Sequence, residues 1–163
     1  MNEARALILC KSTHHGNTRL VADRIASVLD AAVIDPTDAM TNTLGDYHLI
    51  GIGSGIYYGR FHRSIRNWLN ALPMGIGQGH HAFVFSTSGL PFLSRVYHRP
   101  VVNLLRRKGF EVIGEFACRG HDTFGPLRLF GGLNRKHPNE QDLAGAERFA
   151  SEITSIHSSR HAA

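Results

Sequence analysis

The sequence predicts an α/β fold, a doubly wound five-stranded parallel sheet with helices on both faces. Two observations predict it. Short apolar runs alternate with helical patterns along the whole chain, and these runs are nearly continuous, as in strands that are buried on both faces. Right-handed crossovers between such strands favour the order 2-1-3-4-5, in which ligands bind beyond the carboxyl ends of the strands.

Each predicted element has its own signal in the chain. The apolar runs place strands at residues 4–10, 32–35, 47–53, 81–85 and 110–116. Helical patterns cover residues 17–30, 61–72, 94–108 and 140–157, with one further turn allowed within 36–45. The second helix has one apolar face and stops at Pro73, and the third ends at Gly109.

Length and composition indicate one domain over residues 1–163, with a frayed tail at 158–163. The chain has no apolar run near the roughly 18 residues that span a bilayer, and its first residues do not read as a signal peptide. We therefore expect a cytoplasmic protein. Cys10 and Cys118 are too few and too far apart for a disulfide framework, so we interpret them as small buried side chains.

The net charge is +5, and short basic clusters occur at 106–108 and 135–137. The basic residues are not interleaved with aromatic side chains and match no reader motif, so we expect no nucleic-acid partner. An acidic protein partner, an anionic ligand and an anionic membrane surface all remain open.

Three loops follow predicted strand ends and carry the polar residues of interest. The first begins at Ser12 and continues as Thr13-His14-His15-Gly16-Asn17-Thr18, opening a helix. Backbone N–H groups at a helix start bind anions, although such a turn can also serve only as a cap. The turn has no lysine, so it suits one terminal phosphate rather than a polyphosphate.

The second and third loops are rich in aromatic, glycine and hydroxyl residues. The second contains Ser54-Gly55-Ile56-Tyr57-Tyr58-Gly59, and the third begins Ser86-Thr87-Ser88-Gly89. A hydroxyl turn, an aromatic loop and a small polar loop at one sheet edge suit a flat aromatic ring with a phosphate tail.

These three motifs, in this order, resemble the flavodoxins over nearly the whole chain. The resemblance implies non-covalent FMN, with its phosphate on residues 12–18 and its ring between residues 54–59 and 86–89. It also implies an electron carrier that works with a redox partner protein. The segment 54–62 is similar to the flavodoxin-like protoporphyrinogen oxidases, although this chain has no evident long insertion of the kind those enzymes carry.

Two features depart from the flavodoxin pattern. His15 stands where the family usually has threonine, and we expect FMN affinity to weaken as pH rises through its titration. The second loop carries Arg60, His62 and Arg63 where carrier flavodoxins have carboxylates. Positive charge favours the reduced anionic flavin, so we expect a less negative reduction potential than in acidic flavodoxins.

The segment after the last predicted strand, residues 118–139, is long for a loop in one domain and contains aromatic and aliphatic residues. We interpret it as a packed lid or docking surface near the flavin edge. Arg119 and Asp122 are candidate cofactor contacts there, although Asp122 can equally form an Asx-turn.

Several other protein classes are disfavoured. Cys10-Lys11-Ser12 replaces the carboxylates of a receiver domain, and the chain lacks a P-loop, dinucleotide spacing, a zinc-site spacing and a Gly-x-Ser-x-Gly elbow. Three functions remain: an FMN electron carrier, an FMN-dependent oxidoreductase acting on a small aromatic substrate such as a quinone or porphyrinogen, and a flavin-free binding module. No catalytic acid, base or metal ligand is predicted.

Overall fold

A parallel sheet covered by helices on both faces forms the centre of the protein. The computed structural model describes residues 5–13, 16–39, 41–120 and 136–161. The strands are β1 (Ala6–Lys11), β2 (Ala32–Ile34), β3 (Leu49–Tyr57), β4 (Arg60–Phe61), β5 (His81–Ser88) and β6 (Glu111–Arg119). The helices are α1 (Asn17–Leu29), α2 (Arg63–Ala71), α3 (Ser94–Arg107) and α4 (Glu140–His161), with 3₁₀ turns at Thr41–Asp46 and Pro91–Leu93.

The strand order is β2-β1-β3-β5-β6, and all neighbours on this path are parallel. This confirms the predicted fold class and the doubly wound order of the five parallel strands. The sheet has a sixth strand that the sequence did not indicate, since β4 pairs antiparallel with the end of β3. A strand of two residues is too short to give a periodic apolar signal.

Two hydrophobic clusters lie on opposite faces of the sheet. Alternate residues of β5 divide between them: Ala82 and Val84 pack toward the α2 and α3 side, while Phe83 and Phe85 pack toward the α1 and α4 side. This alternation has a period of two, as expected for a strand that is buried on both faces. By the same alternation, Ser86 lies on the side of the sheet that α2 and α3 cover, and Thr87 lies on the side that α1 and α4 cover.

A close approach explains the small residues of β3. Gly53 pairs with Phe85 in the parallel register, and a Cβ at Gly53 would collide with the Phe85 ring. The ring therefore lies directly over the β3 backbone. Substitution of Gly53 would displace the sheet next to the strand end that carries Ser54.

Several predicted boundaries were wrong. Residues 54–57 and 86–88 were expected in loops, but parallel pairing of Ser54 with Ser86 and of Ser88 with Arg119 extends the strands through them. The last helix was expected to end at residue 157, but α4 continues to His161.

The two cysteines lie at strand ends on the α1 and α4 side. Cys10 and Cys118 are both buried and unpaired, and burial raises the pKa of each thiol to about 12. Thiolates are therefore disfavoured, so these side chains contribute packing rather than nucleophilic chemistry. None of the helices in the described part of the chain is long and apolar enough to cross a membrane.

Candidate functional site

The first predicted loop connects β1 to the N-terminus of α1. Gly16 adopts a left-handed conformation with φ of 66° and precedes the first helical residue, and its carbonyl accepts the Leu20 N–H at 3.0 Å. Asn17 and Thr18 are buried in the first turn, which contains no acidic residue. The helix therefore begins with amide groups and no negative charge, which suits an anion. His14 and His15 lie outside the described residues.

The second predicted loop is a tight hairpin rather than an open connection. Tyr58 and Gly59 form its turn with φ values of 50° and 73°, and β4 then pairs back on β3. A positive φ at a tyrosine is uncommon, and the turn leaves the Tyr58 side chain 83% exposed. An aromatic ring is thus presented at the carboxyl edge of the sheet.

The first two loops contact each other through Tyr57. Its hydroxyl lies 2.5 Å from Thr13 Oγ1, and the Thr13 N–H donates to the same hydroxyl at 3.3 Å. Residues 44 positions apart in the chain are therefore neighbours at the strand ends. The parallel pairing of β1 with β3 brings them together.

Ser54 is used inside the hairpin. It is fully buried, its hydroxyl donates to the Gly55 carbonyl at 2.6 Å, and it accepts the His62 N–H at 3.0 Å. His62 in turn caps α2, because its Nδ1 accepts the Ser64 N–H at 3.2 Å. Burial and the nearby Lys11 and Arg63 charges lower the pKa of His62, which keeps the accepting imidazole neutral.

The third loop begins only after β5, so Thr87 and Ser88, which were predicted in this loop, belong to the strand. Both residues nevertheless lie at the same edge of the sheet as the first two loops. Thr87 Oγ1 lies 2.7 Å from Thr18 Oγ1, which connects β5 to the start of α1. The Gly120 N–H donates to the Ser88 carbonyl at 3.1 Å. A Cβ at Gly120 would lie 3.1 Å from Thr87 and 3.2 Å from Asn17, so the chain passes close to both.

Two hydroxyls at this edge have no hydrogen-bond partner among the residues that the structure describes. Ser12 Oγ, directly after β1, and Ser88 Oγ, at the end of β5, are both buried and unpaired within the described part of the chain. A buried polar atom without a partner is destabilising and indicates a missing ligand or water. The two residues lie on opposite sides of β3, because β1, which ends before Ser12, and β5, which ends at Ser88, are its two neighbours in the sheet.

Sequence reasoning missed a buried polar network below the third loop. Ser86 Oγ lies 2.7 Å from His98 Nε2, and His98 Nδ1 lies 3.0 Å from Glu115 Oε2. The network connects β5, α3 and β6. Ser86 and His98 are both almost completely buried, so this hydroxyl is not accessible to a substrate and the network is not a hydrolase site. Helical spacing from Val101, Val102 and Leu105 could have placed His98 on the buried face of α3.

A second missed contact lies beside the first loop. Lys11 Nζ donates to Asp35 Oδ2 at 2.8 Å, which joins the ends of β1 and β2. Burial opposes the ionisation of Asp35, but hydrogen bonds from Lys11 and Thr37 outweigh it and lower its pKa to about 2. The Lys11 charge is therefore already paired.

Other predicted site residues are more dispersed. Arg119 lies at the end of β6, in the wall of a cavity of about 300 Å³ that also includes Pro91, His137 and Gln141. Ile56 is half-buried in β3, and Gly89 directly follows β5. Asp122 and most of the predicted lid lie outside the described residues. Within the described ranges, no three or more His, Cys, Asp or Glu side chains are grouped to hold a metal ion.

Comparison with known proteins agrees with this architecture. A family model described as a flavodoxin domain matches residues 8–88. An uncharacterized protein of Methanocaldococcus jannaschii is 44% identical over 149 residues, which are 91% of this chain and 97% of that protein. The chain belongs to the flavodoxin family.

Solved structures share the fold at low sequence identity. A flavodoxin from the domain Archaea has a TM-score of 0.71 at 17% identity, covering 94% of this chain and 99% of its own. The rubredoxin:oxygen oxidoreductase of Desulfovibrio gigas has a TM-score of 0.73 at 13% identity, covering all of this chain and 38% of its own. An NADH:FMN oxidoreductase in its apo form has a TM-score of 0.65 at 13% identity, covering 91% and 89%.

The His98 network predicts a pH dependence of stability. Burial lowers the pKa of His98 below its ordinary value of 6.5, although Glu115 opposes this. Below about pH 6.5 the unfolded chain therefore binds a proton that the folded protein does not. As the pH decreases below this value, His98 should therefore lower the free energy of unfolding by up to about 1.4 kcal/mol per pH unit. The decrease stops once the pH is below the pKa of His98 in the folded protein.

Urea unfolding of the wild type, His98→Gln and Ser86→Ala between about pH 5 and 8 checks this prediction. The His98→Gln profile should be flatter by that slope, whereas Ser86→Ala, which retains the imidazole, should keep it. Parallel profiles for the wild type and His98→Gln would contradict the assignment.

Proposed function

We propose that this protein binds FMN non-covalently and transfers electrons between a reductase and an acceptor. Membership in the flavodoxin family supports the class of function. The observation that carries the proposal for this chain is the pair of buried hydroxyls, Ser12 Oγ and Ser88 Oγ, which lie on either side of β3 and have no partner among the described residues. A ligand that spans this edge would supply both with hydrogen bonds.

The residues at the start of α1 fit a phosphate. The amides of Gly16, Asn17 and Thr18 lie at the positive end of the helix dipole, and Ser12 and Thr13 add hydroxyls beside them. Lys11 is paired with Asp35, so the site offers hydrogen bonds rather than a point charge. This donor set suits a single terminal phosphate.

The residues beyond β3 and β5 fit a flat ring. Tyr58 presents an exposed aromatic face on the hairpin turn, and Ser88 and Gly89 offer a small polar surface across the strand ends. When bound, the flavin supplies the redox chemistry, and the protein binds and orients it and sets its electrostatic environment. Asp122 and Arg119 remain proposed contacts to the cofactor, and the protein is proposed to work in the cytoplasm.

Charge at the hairpin favours a reduced flavin. Arg60 and Arg63 are exposed on either side of His62, and residues 47–110 contain no carboxylate. Opposite charge stabilises the anion that electron transfer to a flavin produces. This supports the expectation of a less negative reduction potential than in acidic flavodoxins.

An FMN-dependent oxidoreductase acting on a quinone or porphyrinogen is the second candidate. Tyr58 and Phe92 are 83% and 76% exposed at the edge proposed for the flavin, which would allow a small aromatic substrate to approach. The fold is shared with an NADH:FMN oxidoreductase, although at 13% identity. A flavin-free binding module is the third possibility.

The visible spectrum of the purified protein, with chromatography of the released chromophore, tests the proposal. Near one FMN per chain is expected, and reduction in two separate one-electron stages would favour the carrier. Direct two-electron turnover of a quinone or porphyrinogen would favour the enzyme. A colourless protein that does not bind added FMN would refute both redox functions.

Ser88→Ala gives a more specific test. The lost hydroxyl has no hydrogen-bond partner in the described part of the chain, so the unfolding free energy without FMN should not decrease. FMN affinity should fall about fivefold to tenfold, the value of one hydrogen bond. Fluorescence titration with FMN and urea unfolding measure the two effects.

Ser151→Ala on α4 is the matched control, because its hydroxyl donates only within its own helix, to the Glu147 carbonyl at 3.1 Å. It should leave FMN affinity unchanged. Unchanged FMN affinity in Ser88→Ala, or equal loss in both variants, would contradict the role given to Ser88.

A further inference from the structure

One long stretch of the chain contains no negative side chain. Residues 47–110 include no Asp or Glu, although the chain has 13 of them. The same stretch holds eight of the 18 lysines and arginines, namely Arg60, Arg63, Arg66, Arg95, Arg99, Arg106, Arg107 and Lys108. Positive charge is therefore concentrated here rather than mixed with negative charge, as on most surfaces.

This stretch builds one side of the molecule. It supplies α2 and α3, which cover the same face of the sheet, and also the β3–β4 hairpin. The other layer carries both signs of charge, because Arg24 of α1 pairs with Glu140 and Glu147 of α4. The fold thus separates a cationic layer from a layer of mixed charge.

The hairpin contacts the start of α3. A Cβ at Gly59 would lie 3.7 Å from the Tyr97 ring, and the Phe61 and His98 rings pack edge to face at 5.4 Å. Six exposed residues of these two segments are what we call the cationic edge: Tyr58 and Arg60 of the hairpin, and Phe92, Arg95, Val96 and Arg99 at the start of α3 and in the turn before it.

Apolar side chains are unusually exposed on the cationic edge. Tyr58 is 83% exposed, Phe92 76% and Val96 66%. Arg95, Val96 and Arg99 follow helical spacing on α3, and Phe92 lies in the 3₁₀ turn directly before this helix. None of the three arginines of this surface forms an ion pair with a described carboxylate. Glu115 shares a cavity wall with Arg95, but it hydrogen bonds to His98.

We propose that the cationic edge binds the surface of an anionic lipid bilayer. Aromatic and aliphatic side chains among arginines are the composition of interfacial segments, in which apolar groups enter the acyl boundary and guanidinium groups bind lipid phosphates. A bilayer accommodates exposed rings and charges together without a shaped complement. An acidic protein would match the arginines but would also need a pocket for each exposed apolar side chain.

Co-sedimentation of the full chain with vesicles tests this proposal. The protein should sediment with vesicles of phosphatidylcholine and phosphatidylglycerol, much less with phosphatidylcholine alone, and binding should weaken with added salt. The double variant Arg95→Gln, Arg99→Gln should bind the anionic vesicles about 30-fold more weakly. Arg148→Gln on α4, also at an exposed arginine, should bind like the wild type.

A position-specific measurement covers the apolar residues. Phe92→Trp fluorescence should be quenched by brominated lipid in the anionic vesicles. Met74→Trp is the matched control, because Met74 is 73% exposed beyond the opposite end of α2 and should not be quenched.

Three outcomes would overturn the proposal. The first is no sedimentation with anionic vesicles, and the second is equal weakening by Arg148→Gln or equal quenching of Met74→Trp. The third is absence of vesicle binding together with saturable binding to polyglutamate that the double variant loses, which would assign this surface to an acidic protein. The sedimentation measurements do not depend on FMN, so they fail or succeed separately from the proposed function.

Discussion

The parallel pairing of β3 with both β1 and β5 is the constraint on which the site depends. It places Lys11, Ser54 and Ser86 in one row and brings the segments that follow them to the same edge. The contacts between distant loops are consequences of this register: Thr13 meets Tyr57, and Thr18 meets Thr87. A one-residue slip of any of these strands would turn its polar ends to the wrong face.

The hydroxyls at this edge divide into two groups by their hydrogen bonds. Those of Ser54, Ser86 and Thr87 are satisfied by the protein and hold the hairpin, α3 and α1 against the sheet. Those of Ser12 and Ser88 are not satisfied within the described part of the chain. The first group supports the site, and the second is what a ligand would contact. Similar residues in the sequence therefore have different roles that only their neighbours reveal.

The sequence was sufficient for the fold because continuous apolar strands and amphipathic helices are strong local signals. It located the three loops, since polar turns after buried strands are also local. It could not give β4, whose two residues pair only because Tyr58 and Gly59 adopt positive φ. Nor could it give the Ser86, His98 and Glu115 network, which joins three elements. The ends of β3 and β5 were set by pairing with neighbours rather than by their own residues.

We propose that the first turn of α1 binds a phosphate and that the hairpin and the end of β5 bind a flat ring. Calorimetric titration of the FMN-free protein with FMN and with riboflavin tests it most directly, because the two ligands share the ring and differ in the phosphate. Both ligands should bind at one site, and FMN should bind more tightly than riboflavin. Equal affinity for the two ligands, or no binding of FMN, would contradict it.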